Sequence, residues 1–187
     1  MNGPLLLCGL DRLDRPITLR PPMIKEANIH RSWMADPAVT RYLGHSSSYT
    51  LKEEQAWLRR NRDSTDSVLW SIWVADVLIG NTGIRLDLEL KTGVTGIVIG
   101  NRDYWYKGIA TSVFANRSRY AFTELGLVAL FTEAFEPNEG SWRAAERAGY
   151  VRYGTKPFAK LVDGVYVRSF QACLSREHWR ELNPDQS

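Results

Sequence analysis

Ile97-Val98-Ile99-Gly100-Asn101-Arg102-Asp103-Tyr104-Trp105-Tyr106-Lys107-Gly108-Ile109-Ala110-Thr111 reads as an apolar strand that passes through a polar loop into a helix with glycine in its first turn. The first amides of a helix have no partner inside it and point outward together, and the helix dipole adds partial positive charge there. Such an end holds anions. Gly108 lets backbone approach a diphosphate closely, Ala110 keeps the next turn slim and Lys107 adds a charge, so the amides from Lys107 to Thr111 are read as a pyrophosphate site. The same residues also make a plain strand-to-helix turn with no ligand. The segment lacks both the Gly-Lys-Ser/Thr of a P-loop and a full G-x-G-x-x-G, which weakens both nucleotide readings.

Working outward, Gly108 to Leu125 is expected to be the longest helix, with Ile109, Val113, Phe114, Ala121 and Phe122 as its buried stripe and Gly126 as its stop. Val94 to Ile99, apolar on both faces, is expected to be a central strand. Val128 to Phe135 reads as a strand, Ser141 to Ala148 as a short helix, and Tyr150 to Tyr153 as the start of another strand. An Asp163-Gly164 turn then leads into Val165 to Leu174. On the N-terminal side, Ile17 to Arg20 is a strand stopped by Pro21-Pro22, and Ile24 to Met34 a helix ended by Asp36-Pro37. Thr50 and Glu53 form a capping box for a helix to about Arg62, and Val68 to Ala75 with Val77 to Leu88 makes an antiparallel hairpin. The class is α/β, with a mixed, mostly antiparallel sheet of roughly six to seven strands flanked by about four helices. One domain over residues 1–187 is expected, with roughly the first 15 and last 7 residues loosely ordered.

Composition excludes more than it selects. A formal net charge of +3, with both signs evenly mixed, is no footprint for nucleic acid. Cys8 and Cys173 support neither a disulfide scaffold nor a zinc site, so the cytoplasm fits best and no metal is expected. No stretch is long enough to span a membrane. His30, His45 and His178 show no metal spacing and are read as surface or boundary residues. Trp33, Trp57, Trp70 and Trp73 are read as core, with an acceptor or acyl pocket as the alternative, and Arg59, Arg60 and Arg62 as a solvated helix end.

About thirty residues beyond the glycine loop come Glu136-Pro137-Asn138-Glu139-Gly140-Ser141 and Ala148-Gly149-Tyr150. With Trp105 to Ala110, this order resembles the GNAT superfamily of N-acetyltransferases: a Q/R-x-x-G-x-G/A loop, a strand, an N-x-x-S/A helix start and a Gly-aromatic exit. Thr18-Leu19-Arg20-Pro21, Trp33 with Asp36-Pro37-Ala38-Val39, Tyr42-Leu43, Leu78-Ile79-Gly80-Asn81 and Glu177-His178-Trp179 are similar to the RimJ/RimL-like branch, which includes ribosomal-protein N-terminal acetyltransferases. The resemblance covers residues 17–179 and implies a GNAT fold whose fourth and fifth strands, Val94 to Ile99 and Val128 to Phe135, splay around coenzyme A. It implies acetyl-CoA or another acyl-CoA as co-substrate, with Ile97, Val98 and Ile99 pairing to the pantetheine arm. Trp105, Tyr106, Lys107, Gly108, Ile109, Ala110 and Thr111 would hold the diphosphate, with Asn138 capping a helix or touching the cofactor.

An amine attacks a thioester only when neutral, and lysine amines near about 10.4 or α-amines near about 8 must first lose a proton. Val98 or Ile99 is the expected oxyanion donor, and Ser141 the candidate acid, because the tyrosine used elsewhere in the family is Ala145 here. The resemblance departs at the base: Thr95 stands where many relatives carry glutamate, and Lys160 near where some RimL-like proteins do. Glu136, at a strand end, is the substitute candidate, with a water chain as the alternative. Tyr106 replaces a common glycine and Ser112 a common glutamate. The expected partner is an amine acceptor, either a small molecule such as an antibiotic or a protein N-terminus, and the protein is expected to be a monomer or homodimer. An acyl-CoA-binding protein without turnover is the second reading, and a basic nucleic-acid-binding domain the third.

Overall fold

The computed structural model describes residues 3–43 and 49–186; His45 lies outside them. Among the described residues eight strands and six α-helices follow one another: β1 (Leu6–Leu10), β2 (Pro16–Arg20), α1 (Ala27–Met34), α2 (Pro37–Thr40), α3 (Leu51–Asp63), β3 (Ser67–Val74), β4 (Val77–Asp87), β5 (Thr92–Ile99), α4 (Ile109–Thr123), β6 (Ala129–Phe135), α5 (Glu139–Arg147), β7 (Val151–Val162), β8 (Val165–Ser175) and α6 (Arg176–Leu182). The strand order is β1-β2-β3-β4-β5-β6-β8-β7. β5 pairs parallel with β6, whereas β1–β2, β2–β3, β3–β4, β6–β8 and β7–β8 are antiparallel. The chain divides into two compact units, Met1–Arg85 with Gly96–Ile109 and Leu86–Thr95 with Ala110–Ser187.

The mixed α/β architecture agrees with expectation, and the counts rise because β1, α2 and α6 went unread. β1 lies inside the N-terminal stretch expected to be loose, yet pairs Leu6 with Leu19 and Leu7 with Thr18. Its continuous apolar run does not alternate, and in the fold Leu7 and Leu10 are exposed while Cys8 is buried. Asp36-Pro37 ends α1 and also starts α2: the Asp36 carboxylate accepts from the Ala38 amide at 2.8 Å, with proline in the first turn. Ser175 caps α6 in the same way, accepting from the His178 amide at 3.1 Å.

The turn between β1 and β2 is held by Asp11, which accepts from the Leu13 and Arg15 amides and from the Arg15 guanidinium, at 2.9, 3.0 and 2.6 Å. These donors favour the ionised carboxylate and lower its pKa to about 2 from 3.8. A depressed acid stabilises the fold above its unfolded value and loses that contribution as pH falls through the folded one. Asp11→Asn should therefore melt below wild type at pH 7, and the gap should close between about pH 4 and 2. A gap independent of pH in parallel melts would contradict this.

Most local signals hold. The Thr50–Glu53 capping box forms, with the Glu53 carboxylate accepting from the Thr50 amide at 2.8 Å and the Thr50 hydroxyl from the Glu53 amide at 3.3 Å. In α4 the stripe Ile109, Val113, Phe114, Ala121 and Phe122 is buried, and Gly126 leaves the helix at φ +65°. Arg117 is wholly buried on the same helix; desolvation lowers its pKa, opposed by Tyr150. Its guanidinium lies 4.6 Å from the centroid of the Phe114 ring. Asp163 and Gly164, at φ +50° and +79°, make the β7–β8 turn. The expectation that β5 is apolar on both faces fails, since Val94 is 45% exposed while Thr95 beside it is buried.

Candidate functional site

Along a strand, successive residues turn their main-chain groups to opposite edges. The Gly96 carbonyl accepts from the Thr82 hydroxyl of β4 at 2.8 Å, and the Gly100 and Asn101 amides both donate to the Ile79 carbonyl at 2.8 and 3.0 Å. Even-numbered residues at the end of β5 thus face β4, and a methyl group on Gly80 of β4 would come 2.1 Å from the Val98 carbonyl oxygen. Ile97 and Ile99 turn their main chain to the other edge, which makes Ile99, rather than Val98, the residue of the expected donor pair facing away from β4. All three are half-buried.

Trp105, expected in the diphosphate loop, keeps its main chain there and turns its side chain inward. Its indole N–H reaches back to the Ile99 carbonyl at 2.7 Å, and its ring packs with Trp33, Val39 and Leu78. The Trp33 ring in turn lies against Gly100, where an added methyl would sit 2.0 Å from the indole. The Ile99–Gly100 peptide is therefore held at its oxygen by Trp105 and at its N–H by Ile79.

Beyond it, Tyr106 is 82% exposed at φ +60°, a conformation that favours glycine. Gly108 has φ +80°, and a methyl group there would meet nothing within 4 Å, so open space fronts the start of α4. Ile109 is buried, and Ala110 and Thr111 are half-buried. The Lys107 ammonium lies 5.3 Å from the Tyr104 ring centroid and the Arg15 guanidinium 4.9 Å from the same centroid. Arg15 escaped the sequence reading because only the β1–β2 turn carries it there. The Arg15 guanidinium is taken by Asp11 at 2.6 Å, which leaves Lys107, the two positive-φ residues and the first amides of α4 as groups of the kind that hold a diphosphate.

In the second unit, the Glu136 carboxylate takes both arms of Arg168, one at 3.1 Å and the other at 2.5 Å. Its pKa is lowered, first by those hydrogen bonds and also by the charges of Arg168 and Arg152. A base for amines is favoured by the opposite shift, so the ion pair with Arg168 weighs against Glu136 as base. Lys160 lies over the Phe135 ring at 5.6 Å. Asn138 occupies the N-cap of α5 but makes no side-chain cap; its carbonyl accepts from Ser141 at 3.0 Å and Trp142 at 3.4 Å. Helix α5 therefore starts at Glu139, two residues before the expected start, leaving Ser141 in its first turn. Ser141 lines an open depression of about 260 Å³, solvent included, with Thr132, Ala134, Trp142, Ala145 and Phe170. Ala145 is buried, and Gly149 leaves α5 at φ +93°. Tyr150 is core, its hydroxyl 3.0 Å from that of Ser118.

His30, expected near the surface, is instead 1% exposed. Its ring nitrogens lie 3.3 Å from Glu54 and 3.9 Å from Glu26, both buried carboxylates, and Glu26 also accepts from the Ser71 hydroxyl. The ring stacks on Trp33 at 5.2 Å and meets Trp57 edge-on at 6.4 Å. Trp33 and Trp70 are buried, with Trp57 and Trp73 packed against core clusters, as the core reading expects. His178 pairs with Glu181 at 3.2 Å, and Arg59, Arg60 and Arg62 are exposed. Among the described residues, no three His, Cys, Asp or Glu side chains are grouped to hold a metal, and no helix is long and apolar enough to cross a membrane.

Among the described residues, β5 pairs parallel with β6 and leads through the loop of residues 101–108 into the start of α4. The acetyltransferase (GNAT) domain family matches residues 17–151, and the chain belongs to it. N-acetyltransferase p20 of Bacillus licheniformis is 25% identical over 173 residues, spanning 87% of this chain and 94% of that protein. Among solved structures, spermidine N-acetyltransferase from Vibrio cholerae in complex with CoA and spermine superposes with a TM-score of 0.79 at 16% identity, covering 87% of this chain and 97% of that one. Mycobacterium smegmatis RimJ in complex with CoA-disulfide gives 0.75 at 16% identity, covering 98% and 93%. The fold is that of the GNAT acetyltransferases.

Proposed function

We propose that this protein transfers an acetyl-type group from acetyl-CoA, or another acyl-CoA, to an amine by direct attack in a ternary complex. The observation that carries the reading is the start of α4, where Tyr106 and Gly108 at positive φ, Lys107 and the amides to Thr111 suit the diphosphate of coenzyme A. The bound coenzyme of the Vibrio and Mycobacterium neighbours supports it. Ile97 and Ile99 would pair with the pantetheine arm, and the Ile99 amide would receive the oxyanion. The amine nitrogen bonds to the thioester carbon, the carbon–sulfur bond breaks, and the thiolate takes a proton from Ser141, which water then reprotonates. The amine gives its proton to water, because Glu136 is held by Arg168 and Thr95 is a hydroxyl donor. The acceptor is a small amine or a protein N-terminus, the latter following the RimJ/RimL-like pattern.

Thiol release with an amine panel is the test. Wild type should turn over at least one amine and melt higher with acetyl-CoA. Ser141→Ala should lower kcat by about 100-fold, whereas Glu136→Gln should stay within about twofold, since an ion-paired carboxylate carries no proton in the reaction. Binding of coenzyme A with no thiol release from any amine would favour a cofactor-binding protein without turnover.

A further inference from the structure

The parallel ladder between β5 and β6 pairs Thr92 with Ala129, Gly93 with Leu130 and Val94 with Phe131. One residue on, side chains do the bonding. The Thr95 hydroxyl donates to the Phe131 carbonyl at 3.1 Å, and the Thr132 hydroxyl donates to the Thr95 carbonyl at 3.4 Å. Each strand lends a hydroxyl to the other's main chain. Thr95 is only 6% exposed, so its hydroxyl needs a partner, and valine would have the same shape and strand preference without that need.

We propose that Thr95 and Thr132 form a reciprocal hydroxyl clasp that closes the parallel ladder and fixes the direction in which the main chain of Ile97 to Ile99 leaves it. Both are positioning residues for acyl transfer. The inference rests on the function proposed above, because it assigns the Ile97–Ile99 main chain to the thioester. The Thr95 oxygen points to the Phe131 carbonyl and is engaged as a donor. It acts through the backbone that follows it. Two weak bonds suffice, because small displacements of a reacting group reduce rate steeply while costing little in stability.

The experiment is a steady-state and melting comparison of the full-length wild type with Thr95→Val, Thr132→Val, the double variant, Thr95→Ser and Thr95→Cys. Each valine variant should lose about tenfold in kcat with KM for acetyl-CoA within about threefold. Thr95→Ser should stay within about twofold of wild type, since it restores the donor. The double variant should lose less than the product of the two single losses, because the clasp is one device. Thr95→Cys keeps the shape with a weak donor and should fall between serine and valine, which covers the case of a valine variant that does not fold.

Valine or cysteine variants with wild-type kcat would overturn the clasp, as would a serine variant as slow as valine. Activity losses that follow the melting temperature alone would overturn it too, reducing the hydroxyls to ordinary packing. A wild type that releases no thiol with any amine would instead overturn the transfer reading, and the clasp with it.

Discussion

Gly80→Ala is expected to destabilise the protein by at least about 1–3 kcal/mol and to abolish the rise in melting temperature caused by acetyl-CoA. Gly80 lies within β4, opposite Ile72 of β3, and a methyl group there would sit 2.1 Å from the Val98 carbonyl oxygen and 3.1 Å from the Ile99 Cα. A flexible side chain could swing away, but a carbonyl inside a strand cannot. The main chain of Val98 and Ile99 must shift, and that segment is proposed to meet the thioester. Gly96→Ala is the control, since a methyl there meets nothing within 4 Å, and it should stay within about 0.5 kcal/mol of wild type. Melting with and without acetyl-CoA checks both. A Gly80→Ala protein with wild-type melting and an intact cofactor response would refute the close approach.

His30→Ala is expected to cost roughly 3–5 kcal/mol, visible as a lower urea midpoint. The imidazole lies between two buried carboxylates, and its loss leaves Glu26 and Glu54 facing a cavity beside Trp33 and Trp57. Water cannot repay the lost partner without entering the core. The effect should also reach the proposed site, because Trp33 stacks on His30 and lies against Gly100 at the end of β5. Glu54→Gln, which keeps the shape and removes one charge, should cost less. A change below about 1 kcal/mol for His30→Ala would show that the cluster contributes little.

The legible parts of the fold have their causes within a few residues. The capping box at Thr50 and Glu53, the glycine exit at Gly126, the Asp163-Gly164 turn and the stripe of α4 are local and appear where expected. The missed elements are those whose signal is diluted or double. β1 shows its leucines to solvent, and Asp36-Pro37 is both a stop and a start. The Trp105 indole turns back to Ile99 and packs beside Trp33, a side-chain placement that its position in the loop does not encode.

The amide-rich start of α4 was determined by the sequence alone, because glycine at positive φ and a free helix end are properties of neighbouring residues. The long-range pairings of charges and hydroxyls were decided only by tertiary structure. Arg15 reaches Tyr104 across 89 positions, Glu136 meets Arg168 across 32, and Thr95 meets Phe131 across 36. No local pattern encodes such pairs, since whether a carboxylate is a base or half of an ion pair depends on which strand the sheet lays beside it.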